Sequence, residues 1–179
     1  MNCLLAGRPS GSTLGVARAL LASAPQAPVT LMSDDTQGLL AVLDEPGLTG
    51  CEVLWADAAS PATLDDALVH RRMLHGGPDV VVIAVDEASE RDRALVAALV
   101  PRLSGAPLVL TGHGATILGP EAVALLHGST DDDAAAEPAP IEIVAGDDPR
   151  AVLARAARLL REAPAHRAEA PLLRGHCAH

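Results

Sequence analysis

The run Val80-Val81-Val82-Ile83-Ala84-Val85 carries no polar side chain on either face of a pleated strand. Successive strand residues point to opposite faces, so a strand that is apolar on both must be covered on both. That requirement points to a central strand of a parallel sheet with helices packed above and below. Five further short apolar runs share the role: Asn2–Ala6, Pro28–Met32, Cys51–Ala56, Pro107–Thr111 and Ile141–Ala145, with Asp79–Val85 as the strand around the opening run. Between them lie helical stretches with their own punctuation. Thr13–Ala24 stops before Pro25, and a stretch from Ser60-Pro61 to about His75 is closed by Gly76-Gly77. Ala88–Leu103 ends at Ser104-Gly105, a short helix runs from Gly119-Pro120 to about His127, and Asp148-Pro149 opens a last helix over Arg150–Arg161. Strands alternating with helices predict an α/β fold: a three-layer, doubly wound, mostly parallel sheet of about six strands. One domain is expected over 1–162, with 129–140 a loop and 163–179 a tail.

Composition narrows what such a fold can do. With 49% apolar residues and a single Trp as the only aromatic, the core must be Leu, Val and Ala packing. All thirteen basic residues are arginine, and lysine, tyrosine and phenylalanine are absent, as the codon usage of a GC-rich genome would produce. Schiff-base chemistry, a P-loop lysine and a tyrosine proton donor are thereby excluded from this chain. The formal net charge of −10 argues against nucleic acid as a partner, because counterion displacement needs basic surface. No apolar run approaches the roughly 20 residues that span a bilayer, so no membrane association is expected. A turn after five residues leaves no room for a leader's apolar stretch, and Cys3, Cys51 and Cys177 make no disulfide framework. The expectation is a cytoplasmic protein with reduced thiols.

The densest motif is NCLLAGRPSGSTLGVARALLA at residues 2–22. A strand, a turn with Gly7 and Gly11, and a following helix place backbone N–H groups around an anion, with the helix dipole adding positive charge. Ser10, Ser12 and Thr13 supply hydroxyls, and Arg8 supplies a cation for a phosphate. At the end of the second strand, Asp34 is placed to accept hydrogen bonds from a ribose diol and to repel a 2′-phosphate, which favours NAD over NADP. An equally simple role for the acidic residues of Ser33-Asp34-Asp35 is to cap the helix over Thr36–Leu43.

Aligned without gaps, GRPSGSTLGVARAL resembles the opening of the short-chain dehydrogenase/reductase family, Gly-x-x-x-Gly-x-Gly followed by a small-residue helix. VLWADAASPATLDDAL, at 53–68, resembles that family's third strand, its Asp and its next helix. The resemblance covers roughly residues 2–85 and implies a Rossmann-like fold, a nicotinamide cofactor (NAD or NADP), and an adenine-binding role for Asp57. Three departures accompany it. Thr13 replaces the third glycine and would crowd a pyrophosphate. Ile83-Ala84-Val85-Asp86 stands where the family has Asn-Asn-Ala-Gly, and the Tyr-x-x-x-Lys pair is missing. The family's usual hydride-transfer mechanism is therefore excluded.

Two residues beyond the resemblance are catalytic candidates. His113, in LTGHGA just past the fifth strand, is the residue type suited to acid–base work near neutral pH, with Asp86 or Glu87 nearby to orient it. His113 and Asp86 are both expected along the carboxyl edge of the sheet, where open α/β folds bind ligands. His176-Cys177-Ala178-His179 offers three local metal donors where a structural site needs four, so no metal site is expected. Three functions remain open. The first is a divergent dehydrogenase-like protein that binds a dinucleotide or related small molecule. The second is an isomerase, dehydratase or cyclase that uses His113 and no nicotinamide. The third is a non-catalytic subunit in a homo- or hetero-oligomer, paired with a full-length homologue.

Overall fold

The computed structural model describes residues 1–85, 90–103, 106–112, 141–145 and 148–162. In chain order these form β1 (Cys3–Ala6), α1 (Gly11–Ser23), β2 (Val29–Ser33), α2 (Thr36–Leu43), β3 (Cys51–Trp55), α3 (Pro61–His75), β4 (Val80–Val85), α4 (Glu90–Leu99), β5 (Leu108–Gly112), β6 (Ile141–Ala145) and α5 (Pro149–Glu162). Short 3-10 turns occupy Pro46–Leu48 and Val100–Arg102. The expected helix near 120–127, the loop at 129–140 and the tail at 163–179 lie outside the described residues.

All six strands pair in parallel, in the order β3-β2-β1-β4-β5-β6. The chain winds outward from β1 through β2 to β3, then returns to the other side of β1 at β4. The winding reverses between β1 and β4, the kind of switch point at which open α/β sheets bind ligands outside the carboxyl ends of their strands.

The two-sided strand behaves as its sequence demands. Val80, Val82 and Ala84 face one core and Val81, Ile83 and Val85 the other, all of them buried. On the first face, Cys3, Leu5 and Leu31 pack against Val16, Ala17 and Leu20 of α1, Leu39 and Val42 of α2, and Val152, Ala156 and Leu159 of α5. On the second, Leu4, Ala6 and Met32 meet Leu64 and Ala67 of α3 and Val96 and Leu99 of α4. Without Phe or Tyr to fill gaps, helices close ranks on small residues. A Cβ added at Gly15 of α1 would lie only 3.1 Å from the Pro149 ring of α5. Cys3 and Cys51 are both buried in this core, as strand positions suggest. Burial pushes the Cys3 thiol up to about 12 and the Cys51 thiol up to about 11, so neither is a nucleophile at neutral pH.

The amino end of the sheet is closed by a polar network around Arg71, which is 2% exposed. Its position follows from helix geometry: Leu64, Ala67 and Arg71 lie on the buried stripe of α3. The guanidinium donates to Asn2 Oδ1, to Thr30 Oγ1 at 3.2 Å and to the Gly76 carbonyl at 3.4 Å. Asn2 in turn donates its amide to the carbonyls of His75 and Gly77, each at 2.9 Å. Thr30 donates to Glu52 at 2.9 Å, and His75 Nε2 sits 3.0 Å from the same carboxylate. Burial pulls Arg71 below the usual arginine range, while the nearby Cys3, Glu52 and Asp79 oppose that shift. The network ties the end of α3 to the starts of β1, β2, β3 and β4.

Candidate functional site

At the opposite end, β1 leads straight into the glycine turn. Gly7 donates its N–H to the Met32 carbonyl at 3.1 Å, and its φ of +145° lies where L side chains are strained. A Cβ there would stand 2.5 Å from the carbonyl oxygen of Ala84, so only glycine lets the turn pass this close to β4. The chain then extends through Ser10, whose carbonyl accepts the first helical bond from Leu14 N at 2.8 Å. α1 begins at Gly11, two residues earlier than its sequence suggests.

At the start of α1 the N-cap Ser10 makes no side-chain capping hydrogen bond, and the first turn holds no acidic residue. A Cβ built on Gly11 meets no atom of the described residues within 4 Å, so among them open space lies against the helix end. Ser10 turns its hydroxyl to its neighbours, 3.2 Å from Ser12 Oγ and 3.3 Å from Thr13 Oγ1. Thr13 itself is fully buried. The side chain lies in the first turn of the helix with its hydroxyl against that of Ser10. Backbone donors, the Ser10 and Ser12 hydroxyls and the exposed Arg8 thus fit the phosphate portion of a dinucleotide.

The acidic pair after β2 divides its work. Asp35 is the N-cap of α2, accepting from Gly38 N at 3.0 Å. Asp34 is left for another partner, and Arg91 of α4 takes it. Arg91 Nε donates to Asp34 Oδ2 at 2.7 Å, and Nη2 donates to Oδ1. Both carboxylate oxygens are held by one guanidinium in a fork geometry. The indole N–H of Trp55, the only aromatic residue, donates to the Asp34 carbonyl at 3.3 Å. Asp57 turns on itself, its Oδ1 accepting from Ala59 N at 2.9 Å.

Gly7, Arg8, Asp34, Ala58, Arg91 and Leu95 enclose one shallow concavity at this edge. Of the residues expected to bind cofactor, Gly7, Arg8 and Asp34 line it together. Gly11, Ser10 and Ser12 surround the neighbouring helix start, Asp57 precedes the wall residue Ala58, and Thr13 is withdrawn. Asp86, Glu87 and His113 lie outside the described residues. The residues before Asp86 and His113, Val85 and Gly112, are register partners in β4 and β5.

Sequence reasoning missed Arg91. Its partner is 57 residues away, so no local pattern links them. One clue existed: an arginine at the second position of a helix opposes the macrodipole and needs another reason to be there. Among the described residues no helix is long and apolar enough to cross a membrane, and no group of three or more His, Cys, Asp or Glu side chains gathers to hold a metal ion.

No family model matches the chain, and no curated protein matches it in sequence. Solved structures do match it in three dimensions. One, assigned to the short chain dehydrogenase/reductase family of oxidoreductases, comes from Aeromonas hydrophila subsp. hydrophila ATCC 7966. It shares 17% identity, with 93% of each chain covered and a TM-score of 0.58. Another is serine dehydrogenase from Escherichia coli, at 14% identity, covering 89% of this chain and 91% of that one, with a TM-score of 0.53. The chain is thus a Rossmann-like α/β protein, similar in fold to short-chain dehydrogenase/reductase structures.

Proposed function

We propose that the protein binds a dinucleotide, or a ligand of the same adenosine–phosphate chemistry, at the carboxyl edge between β1 and β4. The observation that carries this reading is the start of α1, without a capping bond from Ser10, with open space over Gly11 among the described residues and with the guanidinium of Arg8 beside it. Anions gain from such a helix end through backbone donors and the dipole together. The structural neighbours are oxidoreductases, and a nicotinamide group, when bound, supplies a hydride acceptor or donor. This chain holds no Tyr or Lys to move the accompanying proton, so the family's usual reaction is not assigned to it.

Gly11→Ala separates binding from folding. The added methyl meets open space, and alanine is a better helix residue than glycine. Stability is expected to stay within about 0.5 kcal/mol of the parent or to rise. The methyl occupies the ground where a phosphate must approach the backbone, so affinity is expected to fall at least about tenfold. Calorimetric titration and thermal shift with NAD, NADH and NADPH check both halves. The absence of any melting shift at millimolar concentrations of all three would end the proposal.

A second reading rests on the register of Val85 with Gly112. Asp86 and His113 follow these two residues in sequence, consistent with an acid–base pair that works without nicotinamide in an isomerisation, dehydration or cyclisation. Turnover lost in His113→Ala at an unchanged melting temperature would support it.

A further inference from the structure

We infer that Gly38 of α2, which lies outside the walls of the crevice, is a positioning residue for it: its bare backbone seats the ring of Pro9 and so fixes where Arg8 stands. The inference rests on the ligand-binding reading above and goes beyond it, to what holds that site in shape. Glycine is an unfavourable residue within a helix, and its φ here is not positive, so backbone freedom does not account for it. Close approach does. A Cβ built on Gly38 would stand 2.9 Å from Pro9 Cγ and 2.8 Å from Asp35 Oδ2, nearer than side chains pack. The start of α2 and the glycine turn therefore touch through a glycine, with the proline ring laid where any other residue carries a side chain.

Arg8 stands between two such contacts. On one side Gly7 lies close against the Ala84 carbonyl of β4, and on the other Pro9 rests on α2. The turn is thus braced by the sheet and by a helix, while Arg8 itself is exposed and lines the crevice. The two neighbours of a methyl added at Gly38 yield differently. Asp35 can swing its carboxylate aside, losing its 3.0 Å bond from Gly38 N. The Pro9 ring is closed onto its own backbone nitrogen, so beyond a change of pucker the backbone of the turn must move. That movement shifts Arg8 and the start of α1, although no group that touches the ligand has changed. Close-packed contacts pass strain on rather than absorb it, which is how a helix outside the site reaches the site.

The test is a double-mutant cycle: calorimetric titration of the parent chain, Gly38→Ala, Pro9→Ala and the double variant with NAD, NADH and NADPH. Melting temperatures confirm that each chain is folded. Gly38→Ala is expected to weaken the tightest of the three ligands at least about fivefold in the parent background. With Pro9→Ala in place Cγ is gone, and the same substitution is expected to cost about twofold or less. Loss of the Asp35 cap by itself would cost the same in both backgrounds, so the rescue separates positioning of the turn from damage to α2. Gly38→Ala unfolded, with the double variant folded and binding as Pro9→Ala does, also supports the inference. An equal cost in the two backgrounds overturns it, and so does a Gly38→Ala chain that binds as its parent does, the methyl then being taken up within the ring. A double variant that fails to fold overturns it too, because the methyl then meets an obstacle other than the ring. Each of these results, with the parent binding, leaves the ligand-binding reading standing. Binding of none of the three to the parent at millimolar concentration overturns both.

Discussion

Replacing Arg71 with alanine is expected to cost about 3–5 kcal/mol of folding stability and to lower the melting temperature by roughly 10 °C. Arg71 is 2% exposed, and its guanidinium donates to three acceptors: Asn2 just before β1, Thr30 of β2 and Gly76 just after α3. Removing it strands Asn2 Oδ1 in a dry site, leaves Glu52 and Asp79 without their shared counter-charge and opens a void where the stem lay. Arg71→Met separates these effects. It refills most of the void and loses only the charge and its hydrogen bonds, so a smaller loss of about 2 kcal/mol is expected. Ligand affinity at the other end of the sheet should not change in either variant while it is folded. Urea titration measures the losses. A cost under about 1 kcal/mol for the alanine variant would mean that water already satisfies these groups and the network is not closed.

The second large effect is expected at Gly7. Alanine there must adopt a φ near +145° with its methyl 2.5 Å from the Ala84 carbonyl oxygen, which is backbone and cannot rotate away. Strain and overpacking together are expected to cost about 2–5 kcal/mol. Relief requires the turn to lift off β4, which moves Arg8 and the start of α1. Affinity is therefore expected to fall together with stability, in contrast to Gly11→Ala, where affinity falls alone. A Gly7→Ala chain as stable as its parent would show that the turn does not press on β4 as described. The two glycines of one motif are thus expected to differ: Gly7 serves the fold, and Gly11 leaves room for the proposed ligand.

The sheet was legible in the sequence because burial on both faces leaves an unbroken apolar run, as in Val80–Val85. Ends were less legible. β4 begins one residue after Asp79, whose carboxylate accepts from Asn2 N, and α1 begins at Gly11 because Ser10 takes the extended cap position. The glycine turn and Asp34 could be located because both depend on residues close in sequence. The roles of Asp34 and Asp35 could not be divided until the helix start placed Asp35 over Gly38 N. The Arg91–Asp34 fork and the Arg71–Asn2 bond join residues 57 and 69 apart, so they exist only once the sheet has brought its layers together. The burial of Thr13 was likewise not legible from its place in the motif, because it depends on how α1 sits on the sheet.

Trp55 gives the crevice an optical gauge. With no other aromatic side chain in the sequence, the tryptophan-band ultraviolet emission of the chain comes from one indole. That indole is 48% exposed, and its N–H is bonded to the backbone of the residue that holds Arg91. Indole emission responds to polarity and to nearby charge, and it overlaps the absorption of a reduced nicotinamide. Movement of Arg91, a change at Asp34 and the arrival of such a ligand all bear on the same fluorophore, with no second one to dilute the signal. The chain needs no label for its carboxyl edge to be watched in real time.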